Sequence, residues 1–196
     1  MFNYDRSFRL RLLAAMTRPI YFFCIGIHFG VYSTRMTKYN IVIETPRNSR
    51  EKYSYDEESK SFYLKKLLPA DMCFPYDFGF IPNTKGEDGD PIDALILSEF
   101  GTFPGCRIAC RLIGALLAEQ AEKNKMIRND RFFFVPCISM VYKHIKSVRD
   151  FPKSFMKELL FFFINYNEEK GKEFKVLDVI SREKAKNILK NFINGS

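Results

Sequence analysis

Asp88, Asp90 and Asp93 fall within the six residues Asp88-Gly-Asp-Pro-Ile-Asp93, and carboxylates at this density can hold a divalent cation. An Asp-Gly-Asp-Pro run also makes an ordinary surface turn, which would account for Asp88 and Asp90. Asp93 is different. It lies in the apolar run Ile92-Asp-Ala-Leu-Ile-Leu97, which a strand would bury. A buried carboxylate without a partner is costly to keep ionised. Metal coordination offsets that cost. Oxygen donors with no Cys or His beside them favour a hard cation, Mg²⁺ before Ca²⁺ or Mn²⁺.

The elements that would position these carboxylates read as short strands followed by two helices. Residues 40–45 form a strand ended by Pro46. Residues 52–55 and 61–65 form a hairpin across the turn at 56–60. Pro75 and residues 79–83 mark irregular backbone, and residues 92–97, 106–117 and 131–135 are further strands. Pro152 suits the first turn of a helix carrying Phe155, Leu159, Phe162, Phe163 and Tyr166 at helical spacing, and Gly171 stops it. Ser181 can cap a second helix striped by Ala185, Ile188, Leu189, Phe192 and Ile193. The fold class is α+β, most simply a small closed barrel with helices packed outside it.

Composition narrows the function classes. The 196 residues are 46% hydrophobic and 28% charged, a balance that buries a core and excludes a disordered chain. Five cysteines, an odd number with no Cys-x-x-Cys, and two histidines argue against a disulfide framework or structural zinc and for a reducing compartment. No run of apolar residues is long enough for a membrane-spanning helix. The net charge of +8 could suggest nucleic acid, but residues 1–38 hold six basic residues against one acid, so the rest carries only +3.

Residues 1–38 read as an N-terminal extension to a domain at 39–196. An Arg-rich stretch followed by the apolar residues 19–31 has the outline of a secretory signal, without a clean cleavage site. It also suits an organelle transit segment, a membrane-surface helix, or a stretch upstream of a true start at Met36.

The aspartate run resembles the signature of the family I soluble inorganic pyrophosphatases. Val42-Ile-Glu-Thr-Pro46, Lys52-Tyr53, Phe74-Pro-Tyr-Asp-Phe-Gly-Phe80, Pro104-Gly105, Gly114, Val135-Pro136, His144-Ile145 and Phe162-Phe-Ile-Asn-Tyr166 match in the family's order, followed by Glu168-Glu-Lys-Gly-Lys172. The resemblance implies a five-stranded barrel of the oligonucleotide-binding type, flanked by two C-terminal helices. It also implies Mg²⁺-dependent hydrolysis of pyrophosphate to two phosphates, with several Mg²⁺ per site and Mn²⁺ as a substitute. Clustered cations neutralise the substrate, and a water bridging two of them attacks as hydroxide. By matching position, Asp88, Asp90 and Asp93 are the metal-binding carboxylates, and Asp90 also takes the proton of the attacking water. Glu44 is an acid ordering metal-bound water, Lys52 grips a phosphate and Tyr166 hydrogen-bonds the leaving phosphate. The resemblance further implies a homo-oligomer, hexamer or dimer. It implies the cytoplasm, unless residues 1–38 are an address.

The chain departs from the family pattern in places. Ser54 stands where an acid is expected, Lys66 replaces a phosphate-binding arginine, and Phe74 and Phe78 replace tyrosines. Asn129 aligns with a metal-binding aspartate, leaving Asp130 one place late as the expected fourth metal ligand; Arg131 matches a phosphate-binding lysine. Gln120 replaces another acid, and Asn167 a lysine after Tyr166. A divergent enzyme is the leading reading. Its competitors are a protein keeping the fold with weakened or altered hydrolysis, a phosphohydrolase acting on nucleotides, and a barrel that stacks nucleic-acid bases on its aromatics.

Overall fold

The computed structural model describes residues 37–122 and 125–193, so the readings of the N-terminal extension lie outside the described residues. In chain order the elements are β1 (Tyr39–Thr45), β2 (Glu51–Asp56), β3 (Ser61–Leu67), β4 (Asp77–Phe80), β5 (Asp93–Ile96), β6 (Arg107–Glu122), β7 (Lys125–Arg128) and β8 (Arg131–Pro136). A 3-10 turn at Val148–Asp150 leads to α1 (Lys153–Glu168), β9 (Phe174–Ser181) and α2 (Arg182–Ile193). None of the described helices is long and apolar enough to cross a membrane.

Five strands close a ring. β1 pairs with β4 on one side and β6 on the other, while β5 and β8 complete the circuit between β4 and β6. β5 and β8 run parallel, with Ala94 facing Phe132 across the pair. The β2–β3 hairpin forms a separate two-stranded sheet, and β7 and β9 both pair with the far half of β6. The ring with two C-terminal helices is the architecture the sequence leads one to expect.

β8 explains why its sequence is a run of phenylalanines. Every residue of it is buried, because α2 covers one face of the sheet and α1 the other. Side chains alternate across a strand, so Phe132 and Phe134 join Ala185 and Leu189 of α2. Phe133 and Val135 join Leu159, Phe163 and Tyr166 of α1. These rings are fully buried and offer no face for a base to stack on.

Three elements differ from expectation. Pro75 and the glycine at 79 read as irregular backbone, yet β4 is a fully buried strand. Gly79 is there because a Cβ would stand 2.0 Å from the carbonyl oxygen of Val42, so the residue marks close approach of β1 rather than a break. β7 and β9 were not legible. β9 buries only Ile180 fully and carries Lys175 and Asp178, so it shows no clean alternation.

Candidate active site

A cleft of 510 Å³ draws on β1 to β6, the aspartate loop, the start of β8 and the end of α1. Glu44, near the end of β1, accepts the Lys52 ammonium at 2.9 Å and the Tyr55 backbone N–H at 2.9 Å. The Lys52 side chain is only 9% exposed, so it is not an ordinary solvated strand lysine. Its ammonium stands 4.6 Å from the centre of the Phe78 ring and 5.8 Å from that of Phe74. The two phenylalanines therefore give this cation an aromatic seat where tyrosines would have offered hydroxyls.

Thr84 fixes the aspartate loop. Its hydroxyl donates to the Ile81 carbonyl at 2.6 Å and accepts the Ile92 N–H at 3.0 Å, while the Gly86 N–H donates to the Asp90 carbonyl at 2.8 Å. Gly89, at φ 88°, takes a turn that a side chain would strain. The loop sets Asp88, half-buried, and Asp90, exposed, at the mouth of the cleft. Asp93 opens β5 opposite Phe80 and lies within the cleft wall. Burial, then the charges of Asp93 and Asp90, push the Asp88 carboxyl up to about 6. Burial also raises Asp93, opposed first by Arg131.

Arg131 stands at the start of β8 with a side chain 5% exposed, 3.0 Å from the Asp93 carboxylate. The same guanidinium donates to the backbone and side-chain oxygens of Asn129, and its Nε has no partner. Tyr166 comes from the inner face of α1, packed on Phe74 and Phe162, and its hydroxyl pKa is raised chiefly by burial and next by Asp93. The Lys66 ammonium lies 4.8 Å from the centre of the Tyr166 ring, beside the cleft rather than in its lining.

The donor set fits an oxygen-ligated divalent cation. Three aspartates line the cleft, and the burial and neighbouring carboxylate charge that raise Asp88 are what a cation would offset. Among the described residues, no three acid, thiol or imidazole groups form a ready-made metal cage. A Mg²⁺-type ion does not need one, because it keeps several waters and takes one or two carboxylates together with substrate phosphates.

Asp130 does not line this cleft but borders a separate small cavity of about 20 Å³ together with Asp88, Asp93 and Asn129. The Asp130 carboxylate accepts the Nε and Nη2 donors of Arg128 and the Ala118 N–H at 3.0 Å, and only 6% of its side chain is exposed. Asn129 lines the cleft instead. The small loop adjustment expected to present Asp130 is opposed by these hydrogen bonds, which would all have to break. Asp130→Asn is accordingly expected to cost about 1–2 kcal/mol of stability through the weakened Arg128 pair. The Mg²⁺ concentration giving half-maximal phosphate release should move less than about twofold, far below the shift an innermost carboxylate ligand would cause.

Ser54 and Gln120, both buried, line the cleft as neutral groups where the family pattern has acids. Two lysines that the sequence reading left without a role, Lys170 and Lys172, line it as well. The signal for them was the Glu168-Glu-Lys-Gly-Lys172 stretch after the Tyr166 helix. Lys170 is exposed as a residue, yet its ammonium turns onto Tyr166, 4.1 Å from the ring centre. Desolvation, followed by the like charges of Arg131, Lys66 and Lys52, lowers its pKa to about 7. Carboxylates and cations lining one cleft would hold a polyanion and its counter-cations together.

Comparison with known proteins agrees with this geometry. Residues 41–195 match the family model described as inorganic pyrophosphatase. An inorganic pyrophosphatase of Synechocystis sp. is 36% identical over 141 residues, covering 72% of this chain and 79% of the relative. One from Leifsonia xyli is 39% identical over 139 residues, covering 70% and 82%. The crystal structure of inorganic pyrophosphatase from Thermus thermophilus superposes with a TM-score of 0.74 at 30% identity, covering 88% of this chain and 95% of that one. By its sequence, its ring of five strands and its acid-and-lysine cleft, the chain belongs to the inorganic pyrophosphatase family.

Proposed function

We propose that the chain hydrolyses inorganic pyrophosphate to two orthophosphates in this cleft, and that Asp88, Asp90 and Asp93 hold the divalent cations. The observation that carries this is the meeting of three aspartates with Lys52, Arg131, Tyr166 and Lys170 around one cavity. The family implies a divalent metal in general; Mg²⁺ is the cation proposed here, with Mn²⁺ as its substitute, because the donors are hard oxygens. When bound, such cations neutralise the substrate and activate water.

The chain's own residues do the rest. Asp90, exposed at the mouth of the cleft, is placed to take the proton of the attacking water. Lys52 and Arg131 hold phosphate oxygens within the cleft, and Lys66 adds charge behind Tyr166. Tyr166 presents a hydroxyl that stays protonated at neutral pH, since burial raises its pKa, and so can donate to the leaving phosphate. Glu44 anchors Lys52 and orders water at the cation wall. Phosphate release from pyrophosphate, measured beside ATP with saturating Mg²⁺, tests the reading: release from pyrophosphate should dominate, and equal rates would favour a broader phosphohydrolase.

The same reading makes residues 39–196 the catalytic domain, a homo-oligomer acting in a reducing compartment, the cytoplasm by preference. The family match begins at residue 41, and the four described cysteines are free. A chain of residues 36–196 should fold and release phosphate at close to the full-length rate, since every residue assigned to the site lies after Tyr39. An unfolded or inactive shortened chain, beside an active full-length protein, would contradict this.

A further inference from the structure

We propose that Lys170 is a phosphate-binding residue of the cleft, gripping an oxygen of the substrate beside Tyr166 from the turn that follows α1. The inference rests on the reading of this cleft as the pyrophosphate site.

The turn holds Lys170 firmly. α1 ends at Glu168, and Gly171 at φ 64° reverses the chain. The N–H groups of Lys170 and Lys172 donate to the Asn167 carbonyl at 2.9 and 3.0 Å, and that of Gly171 donates to the Glu168 carbonyl at 2.8 Å. Asn167 is fully buried, and its side-chain amide donates to the Phe163 carbonyl at 2.8 Å, so it faces its own helix and not the cleft. The turn after α1 therefore brings Lys170 and Lys172 to the site in place of Asn167, and Lys170 lies against Tyr166.

Its surroundings lack the counter-charge a lysine normally has. Among the described residues the Lys170 ammonium has no hydrogen bond or ion pair, only the Tyr166 ring at 4.1 Å. Arg131, Lys66 and Lys52 repel it, and Asp93, which attracts it, is already paired with Arg131. Lys52 is already engaged by Glu44 and Arg131 by Asp93, and Lys66 lies beside the cleft, so the Lys170 charge facing the cleft is left to an added anion. A phosphate group beside Tyr166 supplies it. The Tyr166 ring, held by Phe74 and Phe162, acts as the platform that aims the ammonium.

The test uses the full chain with Mg²⁺ at about pH 6, where Lys170 is protonated. Binding of inorganic phosphate and of methylenediphosphonate, a pyrophosphate analogue that is not hydrolysed, is measured by calorimetry. Lys170→Gln should weaken both ligands by about tenfold to a hundredfold, the loss of one charge-assisted hydrogen bond. KM for pyrophosphate should rise in parallel. Lys170→Arg should restore binding to within about threefold, because charge and reach are kept. Lys157→Gln, on the exposed face of α1, should change nothing. Lys52→Gln is the comparison that separates the two readings. If it weakens both ligands while Lys170→Gln stays within about twofold of the parent, the role of Lys170 is refuted and the cleft stands. If neither substitution weakens them, the cleft itself is misassigned. An unchanged melting temperature for Lys170→Gln excludes a loss through unfolding.

Discussion

Replacing Asp90 with asparagine is expected to lower turnover by about 10²–10⁴-fold, the usual cost of losing a general base. The side chain keeps its size and one oxygen but can no longer take a proton as a carboxylate does. Weakened cation binding adds to the loss. Folding should be untouched, because Asp90 is exposed at the mouth of the cleft and its carboxylate takes no hydrogen bond or ion pair among the described residues. Asp71→Asn, equally exposed but outside the cleft, serves as the comparison. Phosphate release from pyrophosphate with saturating Mg²⁺, alongside melting temperature, reads both effects. A folded Asp90→Asn protein with near-parental turnover would show that another group takes the proton.

Arg131→Met is expected to damage stability and activity together. Arg131 is the partner of a carboxylate that burial already disfavours. With the Asp93 side chain 23% exposed the pair is only partly buried, and its loss should cost about 1–3 kcal/mol, below the cost of breaking a fully buried pair. The effect depends on pH in a defined sense. Asp93 has a raised pKa in the folded protein, and without Arg131 it rises further. The deficit is thus complete at pH above that folded value and narrows as Asp93 takes up a proton on acidification. Urea midpoints for parent and variant should converge as the solution is made more acid over the pH range in which the parent stays folded. A deficit that stays constant over this range would mean that Arg131 stabilises through its packing on Phe163 and Phe174 and not through Asp93. In the same variant, phosphate affinity should fall, since one of the cations facing the cleft is gone.

Much of the molecule was legible without coordinates. The Asp88–Asp90–Asp93 spacing, set against an apolar strand, pointed to a cation wall, and the three residues do line one cleft. The ordered segments from Val42 to Tyr166 indicated a five-stranded ring with two terminal helices, and the strands close in that way. Both successes have one cause. Strand and helix periodicity, turn residues and clustered carboxylates are local properties, carried by neighbours in the chain.

The misses have the opposite character. The argument that singled out Asp93 as a buried acid needing a partner applies as strongly to Asp77, which is fully buried. Asp77 is satisfied without any ion: it accepts the Arg47 N–H at 2.7 Å and the Thr102 N–H and hydroxyl at 3.3 and 3.0 Å, donors contributed by distant loops. Asp130 looked like a displaced ligand but is claimed by Arg128 and by β6. Lys170, which had no role on sequence grounds, lines the cleft.

The sequence by itself determined the family and a five-stranded ring with two C-terminal helices, and it set three aspartates close together, because each is written in short runs of residue types. Only the tertiary structure decided which charged groups are paired off and which remain for substrate. That choice depends on which donors and acceptors from remote segments come within about 3 Å of one another, a distance set by closure of the ring and the docking of α1. Asp93 with Arg131, Lys52 with Glu44 and Asp130 with Arg128 are pairings of this kind, and they leave Asp90 and Lys170 facing the open cleft.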